Sequence, residues 1–139
     1  MADADSPLVD ALLRVGDRWS FLVVDALLSG PQRFNDLSRS IAGIAPNILT
    51  DRLRRLEGAG VVASEPYSER PLRHVYRLSE EGRELAGVLR LLATWGGRRA
   101  HSDNGLHHAA CGTTIEARWY CPTCARMLED AEESDLQHL

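Results

Sequence analysis

Residues 33–62, RFNDLSRSIAGIAPNILTDRLRRLEGAGVV, restrict the fold more than any other part of the 139-residue chain. Phe34, Leu37 and Ile41 recur at helical spacing, and Ala42-Gly43 breaks the run. Pro46 opens a second periodic segment, with Leu49, Leu53 and Leu56 on one face and its end at Gly58 or Gly60. Two short amphipathic helices on either side of a tight glycine turn cannot bury their stripes alone, so they demand partners from the rest of the chain.

Those partners are legible on both sides. Ser6-Pro7 predicts a helix start, with a hydroxyl cap and proline in the first turn. Leu8, Ala11, Leu12 and Val15 follow at helical spacing, and Gly16 stops them. A helix from about Asp17 to Ser29 is apolar on most sides and is expected at the centre. Downstream, VVASE and RHVYRLS read as two strands, with PYSERPL as the loop between them. A long helix starts at Ser79, carries Leu85, Val88, Leu89, Leu92 and Trp95 on one stripe, and is weakened at Gly96-Gly97. The pattern predicts a mainly α fold with a small β-hairpin wing, a winged helix-turn-helix.

Composition supports a globular chain, 44% apolar and 26% charged. No run approaches the roughly 18 apolar residues of a membrane span. The acidic start MADADSPLVD lacks a basic-then-apolar leader, so the expected location is cytoplasmic. The net charge of −4 hides an uneven distribution. Residues 31–100 hold twelve Arg against eight acids, while both flanks are acidic. There is no Gly-rich phosphate loop, nucleophile–base set or catalytic acid pair, so no enzyme is expected.

The chain resembles the HxlR-type family of bacterial transcription regulators, relatives of MarR, over roughly residues 6–100. The resemblance rests on Gly16 with Trp19, RFNDL, GIAPNILTDRLRRLEGAGVV, Pro71, VYRLSEEG and Trp95-Gly96, in that order. It implies a homodimer that binds double-stranded DNA, with the helix at about 46–58 in the major groove and a wing at 66–73 on the adjacent backbone or minor groove. The residues agree. At 100° per residue the three leucines of residues 46–58 fall within about 60°, and Asn47, Asp51, Arg54 and Arg55 project oppositely, with Thr50 at the margin. Asn suits adenine edges and Arg suits guanine or phosphate. Arg52 lies nearer the core side and suits a phosphate or a salt bridge. Arg70 and Arg73 flank the wing tip and suit phosphate or minor-groove contact.

Two positions depart from the family pattern. Cysteine often stands where this chain has Ser6, and some members sense oxidants or electrophiles through it; a serine has no thiolate to offer. Ala45 stands where a capping serine is usual, which implies a weaker start to the fourth helix.

All three cysteines lie in HHAACGTTIEARWYCPTC, residues 107–124. His108-x2-Cys111 and Cys121-x2-Cys124 are two short pairs separated by nine residues. Three thiolates and an imidazole suit tetrahedral zinc, and four protein ligands favour a structural ion over a catalytic one. His107 is the rival fourth ligand, and Ala125, where a knuckle favours glycine, weakens the second pair. A redox role for the Cys121/Cys124 pair and unrelated structural cysteines are the alternatives. The predicted organisation is a winged domain at 6–100, a linker at 101–106, a zinc-ribbon-like module at 107–126 and an acidic tail at 127–139. Rival functions are a metal- or redox-responsive sensor using the zinc–thiolate site, and a protein-interaction module on the same fold. The sequence names no small-molecule effector.

Overall fold

A computed structural model of the chain describes residues 6–99 and 105–128. Most of the expected linker, 101–104, and of the acidic tail, 129–139, lies outside the described residues. The chain divides into two units, Met1–Leu89 and Arg90–Leu139.

The first unit runs α1 (Pro7–Val15), α2 (Arg18–Leu27), β1 (Gln32–Arg33), α3 (Phe34–Ser40), α4 (Pro46–Gly58), β2 (Val62–Glu69) and β3 (Leu72–Leu78). Helix α5 (Glu80–Arg99) begins in it and continues into the second unit. The expected stripes of α2, α3 and α4 form the core, joined by Val15 of α1 and Leu89 of α5, whose other stripe residues are mostly exposed. Val23, Val24 and Leu27 of α2 pack with Leu37, Ile41, Leu49, Leu53 and Leu56, and Val61, Val62 and Leu78 close the cluster. At about 25 cal/mol per Å² of apolar surface, each such side chain stabilises the fold by roughly 1.5–3 kcal/mol.

Several local expectations are corrected. Ser6 occupies the cap position of α1 but makes no side-chain cap bond. Pro7 sets the first helical φ, and the Ser6 carbonyl accepts from Asp10 N (3.1 Å). Ser79 precedes α5 instead of beginning it, and α5 runs through Gly96-Gly97 to Arg99. The expected loop at 66–72 is mostly strand. β2 and β3 pair antiparallel out to Glu69↔Leu72, with a register shift between Pro66 and Ser68. Pro66 is tolerated because β2 is an edge of the β1-β3-β2 sheet and need not donate outward. β1 escapes periodicity reading because it has two residues, pairing Gln32↔Tyr76 and Arg33↔Val75.

The junction of α4, β2 and α5 explains two of the motifs. Ser79 Oγ donates to the Gly60 carbonyl (2.6 Å) and accepts from Gly82 N (3.0 Å). Ser79 N donates to the Val61 carbonyl (3.0 Å). Arg14 of α1 reaches the same junction, donating to the Ala59 carbonyl (2.5 Å) and to Glu81 (2.6 Å). A Cβ on Gly82 would stand 2.1 Å from the Val61 carbonyl oxygen, a backbone atom with nowhere to go. Gly82→Ala is therefore expected to destabilise the fold by about 1–3 kcal/mol. Gly87→Ala, on open helix surface with nothing within 4 Å, should be neutral or stabilising. Thermal unfolding of the two variants checks this; equal midpoints would refute the close-approach account.

Candidate nucleic-acid interface

Helix α4 begins without a side-chain cap at Ala45, and Pro46 supplies the helical start. Thr50 Oγ1 donates to the Pro46 carbonyl (2.9 Å), so its hydroxyl is engaged with its own helix. Leu49, Leu53 and Leu56 are buried and fix the rotation of the helix against the core. That rotation leaves Asn47, Asp51, Arg54 and Arg55 exposed.

Arg52 behaves differently from its neighbours. Its side chain is 18% exposed, and Nε donates to Asp17 Oδ1 (2.9 Å) while Nη1 donates to Asp51 Oδ2. Of the two roles expected for it, a phosphate contact or a salt bridge, the salt bridge is the one formed. Asp17 also caps α2, accepting from Trp19 N (3.0 Å) and Ser20 N (3.1 Å), and the Ser20 hydroxyl donates to its second oxygen (2.5 Å). Arg54, Arg55, Arg70 and Arg73 have no ion-pair partner among the described residues; Arg70 and Arg73 sit exposed at the tip of the β2–β3 hairpin.

Residues passed over in the sequence join this surface. Arg33, Asp36, Arg39, Tyr67, Arg73 and His74 line a cavity of about 360 Å³ between the start of α3 and the outer half of the wing. The Arg33 guanidinium stacks on Tyr67, 4.5 Å from the ring centre. The stacked Arg33, together with Arg73 and with Arg39, which pairs with Asp36 at 3.8 Å, gives a lining suited to anionic groups such as phosphates. The signal was in RFNDLSR, whose arginines at 33 and 39 are masked by the apolar spacing of the same segment.

Burial alone would raise the Asp17 carboxyl, but hydrogen bonds from Ser20 and the Arg52 guanidinium outweigh it and hold the group below its ordinary value. A depressed folded pKa contributes stability that is present above the unfolded value and lost as pH falls through the folded one. Asp17→Asn keeps an N-cap but loses the charge. The stability gap between wild type and Asp17→Asn, by urea unfolding, should therefore be flat from about pH 5 upward and shrink below about pH 4. A gap that grows on acidification would contradict the assignment.

The second unit holds two small hairpins. In the first, His107 bridges Thr114, and His108 N donates to the Thr113 carbonyl (2.8 Å). His108 Nδ1 lies 3.3 Å from Cys111 Sγ. In the second, β4 (Trp119–Cys121) pairs with β5 (Arg126–Leu128), Cys121 opposite Arg126, and Cys124 lies in the turn. None of the three cysteines is in a disulfide. Hydrogen bonds from Thr113, and then from His108, pull the Cys111 thiol down; those from Cys124 do the same for Cys121. The four candidate ligands stand as two pairs. Among the described residues no group of three or more His, Cys, Asp or Glu is gathered tightly enough to hold an ion. No described helix is long and apolar enough to cross a membrane.

The family described as HxlR-like helix-turn-helix matches residues 14–104. The chain is 37% identical over 118 residues to an uncharacterised HTH-type transcriptional regulator of Mycobacterium tuberculosis, covering 82% of this chain and 74% of that one. A transcription factor structure from Pseudomonas aeruginosa superposes with a TM-score of 0.69 at 33% identity, covering 91% of this chain and 88% of the other. The reduced form of the redox regulator HypR superposes at 0.64 with 32% identity, covering 68% and 94%.

Proposed function

The chain belongs to the HxlR-like helix-turn-helix family of transcriptional regulators, and on that premise we propose that it binds an operator as a homodimer. The outward face of α4 enters the major groove, and the β2–β3 wing lies on the adjacent backbone or minor groove. The observation that carries this reading is the division of labour on α4. Arg52 is spent on Asp17 and Asp51, while Asn47, Arg54 and Arg55 remain exposed for base edges and phosphates. Arg33, Arg39 and Arg73 around the wing cavity extend the phosphate-contacting surface.

Arg54→Ala is expected to cost about 1–3 kcal/mol and to relax base preference at one position. Arg73→Ala should weaken binding evenly across sequences and reduce the salt slope by about one. Titration of a duplex selected by the wild-type protein, at several salt concentrations, reads both. Unchanged affinity in both variants sinks the assignment.

Uncovered apolar stripes support the dimer. Leu8, Leu12 and Leu13 of α1 are 50–74% exposed, and α5 exposes Val88, Leu91, Leu92 and Trp95 at helical spacing. Contiguous exposed apolar side chains of this kind mark interaction surfaces. Leu12→Glu/Leu13→Glu should convert a dimeric mass to a monomeric one in light scattering at micromolar concentration. A wild type that is already monomeric there contradicts the dimer.

A second reading, regulation of operator affinity by oxidation, draws on three cysteines outside any disulfide and on the likeness to the redox regulator HypR. Ser6 removes the thiol on which some relatives rely, so any such response belongs to Cys111, Cys121 or Cys124.

A further inference from the structure

We propose that the two hairpins of residues 106–128 close on a single zinc ion held by His108, Cys111, Cys121 and Cys124. The inference goes beyond DNA binding and rests on a repeated local geometry.

Each pair spans one tight turn of one hairpin, and the residue after each pair has a positive φ. In the first turn Gly112 stands at +71°, and its N–H donates to the His108 carbonyl (2.7 Å). In the second, Ala125 stands at +51°. It is the one non-glycine residue with positive φ among the described residues, a conformation that costs an L-residue roughly 1–2 kcal/mol. So the absence of glycine after Cys124 does not remove the knuckle geometry from this half. In the first turn Cys111 Sγ lies 3.3 Å from His108 Nδ1 and donates to Thr113 Oγ1 (3.3 Å), so the turn already brings two candidate ligands together.

The second observation is what the hairpins lack. No described residue from 105 to 128 is buried, and Ile115, Trp119, Tyr120 and Met127 are 43–60% exposed. Segments below roughly 40 residues seldom fold on apolar burial alone and rely on a metal or a disulfide. A disulfide would use two of the three cysteines and leave the third, and His108, without a role. Zinc uses the whole set, in the tetrahedral geometry that three thiolates and an imidazole favour. Binding draws the two pairs together into one tetrad and releases the three thiol protons to solvent.

The structure also chooses between the histidines. His107 lies in the bridge to Thr114, one residue outside the turn, whereas His108 already directs Nδ1 at Cys111.

The full-length protein, purified under reducing conditions and equilibrated with zinc, should carry one zinc per chain by elemental analysis. Cobalt in its place should give the absorption of a tetrahedral thiolate site. Cys121→Ser/Cys124→Ser should lose the metal, and His108→Ala should weaken it roughly 100-fold, at or above the loss expected for a residue that merely supports a ligand. His107→Ala should retain it. Helix content of the winged unit by circular dichroism separates loss of the site from loss of the fold. Wild type without zinc, full retention in the double-cysteine variant, or loss on His107→Ala with retention on His108→Ala would each overturn the assignment.

Discussion

Asp17 accepts hydrogen bonds from the backbone of Trp19 and Ser20 at the start of α2 and from Nε of Arg52 on α4, 35 residues away. One carboxylate therefore closes the end of the central helix and holds the helix with the exposed arginines. The three buried leucines of α4 set its rotation, but apolar contacts are nondirectional and tolerate sliding. The guanidinium–carboxylate contact adds direction, and Asp51 completes it from within α4. Arg52 is thus a positioning residue for the surface that Asn47, Arg54 and Arg55 present.

Local signals carried most of the fold. The α4 stripe, the order of the helices and the stop at Gly16 follow from spacing and punctuation; Gly82 entered only as part of the family-like VYRLSEEG, and the coordinates supply the reason for both glycines. A Cβ at Gly16 would meet the Leu12 carbonyl oxygen at 2.3 Å, and one at Gly82 would meet that of Val61 at 2.1 Å. What spacing could not supply was long-range. β1 exists only because β3 offers Gln32 and Arg33 a partner, and the wing extends past Pro66 only because β2 is an edge strand. The engagement of Arg52 with Asp17 was legible only as one of two options, since its angular position on α4 points toward the core side without naming what lies there. The Ser6 cap failed for the opposite reason: a strong local preference with no bond made.

The Cys/His turns invert this balance. Their x2 spacing was visible in sequence, because two residues at that spacing share one tight turn; the zinc they would hold is a proposal. Their architecture was not, because pairing between Tyr120 and Met127 or between His107 and Thr114 has no apolar alternation to announce it. Acidic residues also separate the two regions chemically. Residues 31–100 carry excess arginine and residues 101–139 carry seven acids against two arginines, so phosphate-seeking charge belongs to the winged unit.

The central claim is that this winged unit reads DNA with the exposed face of α4 in a two-fold arrangement. In vitro selection by the full-length protein from random duplex DNA tests it most directly. The account predicts enrichment of an inverted repeat with half-sites about one helical turn apart. A pool that stays unenriched at low salt, or that converges on a single asymmetric site bound by one chain, would contradict it.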